Sequence, residues 1–425
     1  MDLGRRLAGL WNAAAKEAGG PDRLTEILSR LALFFSGGWI LALTFFDWIR
    51  SAFFVDLGLT VAILVAFALG IVNVGTAVQT WIPARRLAPL VPLSIVYFTV
   101  VHYWLFVSLV PFYGTDGLAF SHYSAILLLQ GQNPYAVSQA PALELFRIPE
   151  FYVTPKETGG LVTSQTYPAL SFLIYVPVVA AGATDMRIVS LAGHGLAILV
   201  AYRVTPQPFK AFAPLTLAFP DQLDFTPGSV QDILWVAPLL LSVSTLHRRR
   251  FSGCLYGIAC SIKQMPWLLA PFLFVDLWKR DGTKFPSSAG LWNFAAFAAG
   301  TFLLINGPFI LWDPGPWTAG VLDPLFGDNI PLGPGLSILT QGAWLLAPKA
   351  FYSATMVSVI IALLALEFID YPNARRALYW FPGVVMFFAY RNLQNYFVYW
   401  YPFVFLALAT WLREQYQGSG HAEVP

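Results

Sequence analysis

Apolar runs of roughly 17 to 25 residues, the length that crosses a hydrocarbon layer, recur along nearly the whole chain and are separated by short polar stretches. One interruption is long. Residues 113–166 are polar and follow directly on the hydrophobic run 90–112. Hydrophobic residues make up 57% of the chain and charged residues only 11%, which leaves no room for a sizeable soluble domain. The pattern therefore predicts an all-α integral membrane protein, because lipid-exposed backbone satisfies its hydrogen bonds within helices. It is read as a single polytopic domain over 1–425, a bundle of about eleven to thirteen membrane segments with helices in its external loops.

Short loops rich in Lys and Arg stay on the cytoplasmic side, so the basic clusters set the topology. Residues 1–28 carry Arg5, Arg6, Lys16 and Arg23 and read as a retained cytoplasmic amphipathic lead-in. A span at 31–46 exits to Asp47 and Trp48, one at 52–79 returns to Arg85 and Arg86, and one at 88–112 exits again. That places 113–166 as the first external loop. Spans follow at 167–184 and 187–203, and 209–219 is too short for more than a partial helix. Residues 247–250 and the pair Lys279 and Arg280 with Lys284 both call for the inside, yet only 252–278 lies between them. A break at Lys263 to Pro266 into two half-helices restores the parity, since proline removes a helix hydrogen bond and disfavours helix in the residue before it. A span at 288–311 leads to a second external loop over 312–348, whose last part, 336–348, lies on the outer surface or dips in partway. Spans at 351–369, 377–390 and 395–411 close the chain.

Ionisable groups are costly inside a membrane and mark function when they persist there. In this reading, four polar clusters collect on the external side. The first is Asp116 with His122 and Tyr123, with a helix from about Leu118 that Gly131 and Pro134 end. Asp116 is suited to take a proton from a hydroxyl, and equally to cap the helix it begins. The second is FPDQLDFTPGSVQD, with Asp221 and Asp232, whose acids order sugar hydroxyls or cap helices. The third is Lys263 with Gln264, a cation placed to face a lipid phosphate or to snorkel. The fourth is YRNLQNYFVYW, with Arg391, Asn392, Gln394, Asn395 and Tyr396; an external arginine runs against the orientation bias, and a phosphate or an acidic partner explains it. His102 and His194 lie in apolar spans and read as packing residues. Cys254 and Cys260 read as small packing residues rather than a disulfide. A net charge of +2 and the absence of a basic aromatic face speak against nucleic acid. No cofactor and no metal site is called for.

Asp116 after an early span, then HYSAILLLQGQNPY, TYPALSFLIYVP, GIACSIKQMPWLLAPFL and RNLQNYFVYW, in that order, resemble polytopic glycosyltransferases of the GT-C superfamily. The nearest likeness is to bacterial mannosyltransferases that use polyprenyl-phosphate sugars. The resemblance covers roughly 88–412 and implies a catalytic acid at Asp116 and donor-phosphate contacts at Lys263 and Arg391. It implies as partners a polyprenyl-phosphate-linked sugar donor, a glycan or glycolipid acceptor and membrane lipid, at the external face of the cell membrane. Tyr123, Tyr135 and Tyr167 are then candidates to line a sugar site. An acidic pair adjacent in the loop is absent, which departs from metal-dependent oligosaccharide transfer. A transporter or flippase for a lipid-linked or sugar substrate is the alternative, and its signature would be paired broken helices in two related halves; only one break is visible. A non-catalytic scaffold is the third reading, and it gives intramembrane polar groups no purpose.

Overall fold

A computed structural model describes residues 21–51, 56–282, 288–345 and 347–419. Most of the lead-in, Arg5, Arg6 and Lys16 included, lies outside the described residues, as does Lys284. Among the described residues the helices of twelve residues or more are α1 (Pro21–Ser51), α2 (Leu57–Val78), α3 (Leu90–Leu109), α4 (Asp116–Leu129), α5 (Arg187–Val204), α6 (Ile233–Ser244), α7 (Arg249–Ile262), α8 (Ala270–Asp281), α9 (Ala289–Trp312), α10 (Pro314–Phe326), α11 (Lys349–Ile369) and α12 (Tyr401–Ser419). Extended backbone among the described residues pairs only as isolated bridges. Among the described residues six segments are long and apolar enough to cross a membrane, namely those over α1, α2, Ala84–Leu109, α5, α9 and α11. Two apolar helical stretches, Leu170–Ala180 and Ile233–Ser244, are shorter.

The chain divides into two compact units, one of residues 1–109, 195–223 and 401–425, the other of 110–194 and 224–400. In the first unit α1 and α2 approach closely at small residues: a Cβ added at Gly37 would lie 2.7 Å from Gly70 O. Without a hydrophobic drive between helices in lipid, such contacts and interhelical hydrogen bonds hold a bundle together. Asn73 of α2 supplies them, donating to Ser36 of α1 and accepting from Ser94 of α3, both at 3.3 Å. His102 of α3 pairs through Nδ1 with Asp47 of α1 at 2.9 Å. Asp47 is thus buried within a helix that runs on to Ser51, not in an exit turn, and this partner satisfies the buried carboxylate. Residues 209–219 form the expected partial helix, a 3-10 segment at Lys210–Leu217.

In the second unit Gly253 and Gly257 of α7 let it pack on α9, where added Cβ atoms would meet Phe294 O at 2.4 Å and Ala298 O at 2.5 Å. Asn306 of α9 reaches Ser261 of α7 at 3.2 Å and accepts from Ala169 N at 2.8 Å. Around it Tyr135, Ala169, Phe172, Phe309 and Val321 form a buried cluster. The break after α7 falls where proline predicts it: Lys263 is extended, Met265–Leu269 is a 3-10 turn, and α8 begins at Ala270. Three spans differ from expectation. Residues 167–184 form only Leu170–Leu173 and Val176–Ala180, and 377–390 form a 3-10 turn and the short helix Phe381–Phe387, with a proline in the first turn of Val176–Ala180 and of Phe381–Phe387. Residues 395–411 are split into Asn395–Val398 and α12, which begins at Tyr401.

Candidate functional site

Asp116 opens α4, and its position is fixed by two separate stretches of the second unit, 228–231 and the turn at Thr154. Thr115 Oγ1 donates to Ser229 O at 2.8 Å, and Gln231 Nε2 donates to Gly117 O at 2.7 Å. Gly114 is close enough to Gly228 O, at 2.7 Å from an added Cβ, that a side chain there would displace the turn. Asp116 Oδ2 itself accepts from the backbone N–H of Thr154 at 2.8 Å. It therefore caps no turn of its own helix; its hydrogen bond runs 38 residues along the chain.

Asp116 lines a cavity of about 430 Å³. Of the sequence-predicted residues, Asp232, Lys263, Gln264, Arg391 and Asn395 line it too. Asp232 Oδ2 accepts from Lys263 Nζ and from Asn395 Nδ2, the latter at 2.7 Å. The ammonium lies 5.1 Å from the centroid of the Tyr167 ring and 5.0 Å from that of Tyr396. A lysine in this arrangement is neutralised and flanked on two faces by rings. Gln264 donates to Thr166 O at 2.7 Å and Val321 O at 2.8 Å, which holds the segment after the break against the cavity wall.

Arg391 differs from Lys263. Its Nη2 donates to Thr154 Oγ1 at 3.1 Å, while its Nη1 is buried and has no hydrogen-bond partner among the described residues. A buried charged donor without an acceptor costs about 1–3 kcal/mol or more, so this atom favours an incoming anion. The apolar wall comes from α11, where Ser353, Met356, Val357 and Ile360 share one face by their spacing of three, four and seven.

The remaining candidates stand elsewhere. Six residues after Asp116, His122 points about 120° round the helix from it. There its Nδ1 meets Tyr113 Oη at 3.0 Å and its ring stacks on Phe146 at 4.4 Å. Burial pushes its pKa down to about 4, opposed only in part by Asp185. Tyr123, Asn392, Gln394 and Asp221 also do not line the cavity. Asn392 is fully buried and supports the adjoining turn, accepting from Gly335 N at 2.7 Å and donating to Ala389 O at 2.8 Å. Gln394 is exposed, and Asp221 is exposed in the first turn of Pro220–Phe225. Of the aromatic candidates Tyr167 lines the cavity, while Tyr135 belongs to the buried cluster and donates to Tyr167 O at 2.9 Å.

Thr154, Asp323 and Lys349 line the cavity and carry no signal in the sequence. Thr154 is a threonine in a polar loop, and Lys349 reads as an ordinary basic flank of an apolar run. In the structure Lys349 Nζ donates to Gly327 O and lies 5.7 Å from the Tyr390 ring centroid. Among the described residues no group of three or more His, Cys, Asp or Glu is placed to hold a metal ion.

Fold and site together define, among the described residues, an all-helical fold with six helices long and apolar enough to cross a membrane and a charged, partly apolar cavity. Comparison with protein-family models, with curated proteins and with solved structures finds no match for it.

Proposed function

We propose that the protein is a membrane glycosyltransferase that transfers a sugar, mannose or another hexose, from a polyprenyl-phosphate donor to an acceptor hydroxyl. The reaction runs at the external, extracytoplasmic face of the cell membrane, with the polyprenyl chain along the apolar face of α11. The observation that carries the reading is the meeting, in one cavity, of a carboxylate at Asp116 and the unpaired guanidinium N–H of Arg391 beside an apolar wall. The acceptor hydroxyl gives its proton to Asp116 as its oxygen attacks the anomeric carbon. The bond from that carbon to the phosphate oxygen breaks, its electron pair leaves with the lipid phosphate, and Arg391 pairs with the charge that develops. A single displacement inverts the anomeric centre. The pair of Asp232 and Lys263, neutral overall, presents both acceptors and donors to sugar hydroxyls, with Tyr167 and Tyr396 as ring surfaces beside it.

The test is transfer of labelled sugar from polyprenyl-phosphate donors by the purified protein, wild type beside Asp116→Asn, with donor binding measured in both. Transfer lowered about 10²–10⁴-fold with donor binding kept is the expected result. Full activity in the variant removes Asp116 from the chemistry, and binding without transfer from any donor by wild type turns the reading to a transporter or flippase.

A further inference from the structure

A base and an anion-binding cation in one small cavity attract each other, and a direct ion pair between them would leave neither available to a substrate. No such pair joins Asp116 and Arg391 within 4.0 Å. Thr154 stands between them. Its backbone N–H is taken by Asp116 Oδ2 at 2.8 Å and its Oγ1 by Arg391 Nη2 at 3.1 Å. The geometry points to Thr154 as a positioning residue that holds the acid and the arginine apart while fixing both.

Its own placement is firm. Pro155 follows it and disfavours helix at Thr154, so its N–H is not taken up by a helix. Thr154 O accepts from Val162 N at 2.8 Å, Glu157 N donates to Asp328 O at 2.7 Å, and isolated bridges join Pro155 to Leu161 and Lys156 to Asn329. Arg391 is anchored separately by a bridge to Leu332. The two halves of the spacer act on different partners. The hydroxyl takes one side of the guanidinium fork and leaves Nη1 without a partner, whereas the main-chain N–H orients the acid whatever side chain stands there.

The inference rests on the donor reading above and separates from it by experiment. Farnesyl phosphate, a short lipid monophosphate, is the probe, and its binding to the full-length protein in detergent is measured for wild type, Thr154→Val, Thr154→Ser, Arg391→Ala and the double variant Thr154→Val with Arg391→Ala. Valine keeps the shape and the backbone donor and removes only the hydroxyl; serine restores it. The expected result is binding weakened about tenfold by valine and by less than about threefold by serine, with the double variant no weaker than Arg391→Ala alone. Valine binding as tightly as wild type, or a valine loss that adds in full to that of Arg391→Ala, overturns the positioning role and leaves the donor reading standing. A wild-type protein that binds no farnesyl phosphate overturns the donor reading, and the inference with it. A merely structural effect of valine would persist in the Arg391→Ala background.

Discussion

Lys263 and Asp232 form a buried pair in the wall of the cavity, with Asn395 sharing the same carboxylate oxygen. The lysine that stands in the sequence as an isolated cation is therefore half of a neutral unit. Removing one partner strands the other charge, which typically costs about 3–5 kcal/mol, whereas removing both with apolar residues of similar size costs far less. Asp232→Leu or Lys263→Met alone is expected to lower stability by about that amount, and the double variant by less than either. Chemical unfolding in detergent checks it; single losses that simply add would show the two are not coupled.

Arg391 is the cation left for an anion. Arg391→Ala is expected to weaken binding of the lipid-phosphate donor by about 10- to 100-fold, and Arg391→Lys to restore only part, because an ammonium does not offer two directed N–H groups to Thr154 and to phosphate at once. Donor titration of the two variants checks this, and equal binding by the alanine variant would place the anion elsewhere.

His122 should make the fold acid-sensitive. Its folded pKa of about 4 lies below the ordinary value for histidine, so between these two the unfolded chain binds the extra proton. Its contribution is present in full above about pH 6.5 and is lost as pH falls through that value towards about 4, at most ~1.4 kcal/mol per pH unit. His122→Phe, which keeps the stack on Phe146, is expected to flatten the stability profile across that window. An unchanged slope would show that other groups set it.

The contact of α7 with α9 depends on having no side chain at Gly253, where a Cβ would come within 2.4 Å of Phe294 O. Because the neighbour is backbone, it has no rotamer to yield. Gly253→Ala is expected to destabilise by about 1–3 kcal/mol, read as a lower midpoint in thermal unfolding, while Gly300→Ala on α9, with open space around it, should not. Equal midpoints for the two would contradict the close approach.

The long helices were legible because a membrane sets their length: α1, α2, α3, α5, α9 and α11 each appear as an apolar run. The break at Lys263 was legible through Pro266, and α4 was legible as a helix although it begins at Asp116, two residues before the expected start at about Leu118. What escaped depends on partners distant in the chain. Asp47 reads as a turn until His102 is seen beside it, 55 residues on. Asp232 reads as a loop acid until Lys263 and Asn395 are found, 31 and 163 residues on. His122 was drawn to the site by its nearness in sequence to Asp116, and helix geometry turns it into the aromatic packing instead. Thr154 had no mark at all, since its role begins with a main-chain atom.

That last point reaches beyond one residue. The stretches around 155–161, 328–332 and 391 meet through main-chain bridges, Pro155 with Leu161, Lys156 with Asn329 and Leu332 with Arg391. A junction written in peptide groups is indifferent to most side chains and intolerant of changes in length. Drift of residue identity outside Thr154 would leave the spacing of acid and guanidinium intact, whereas one residue inserted or deleted between 155 and 161 would break the register that holds them. Evolution can rewrite the letters of such a frame freely so long as it keeps the count.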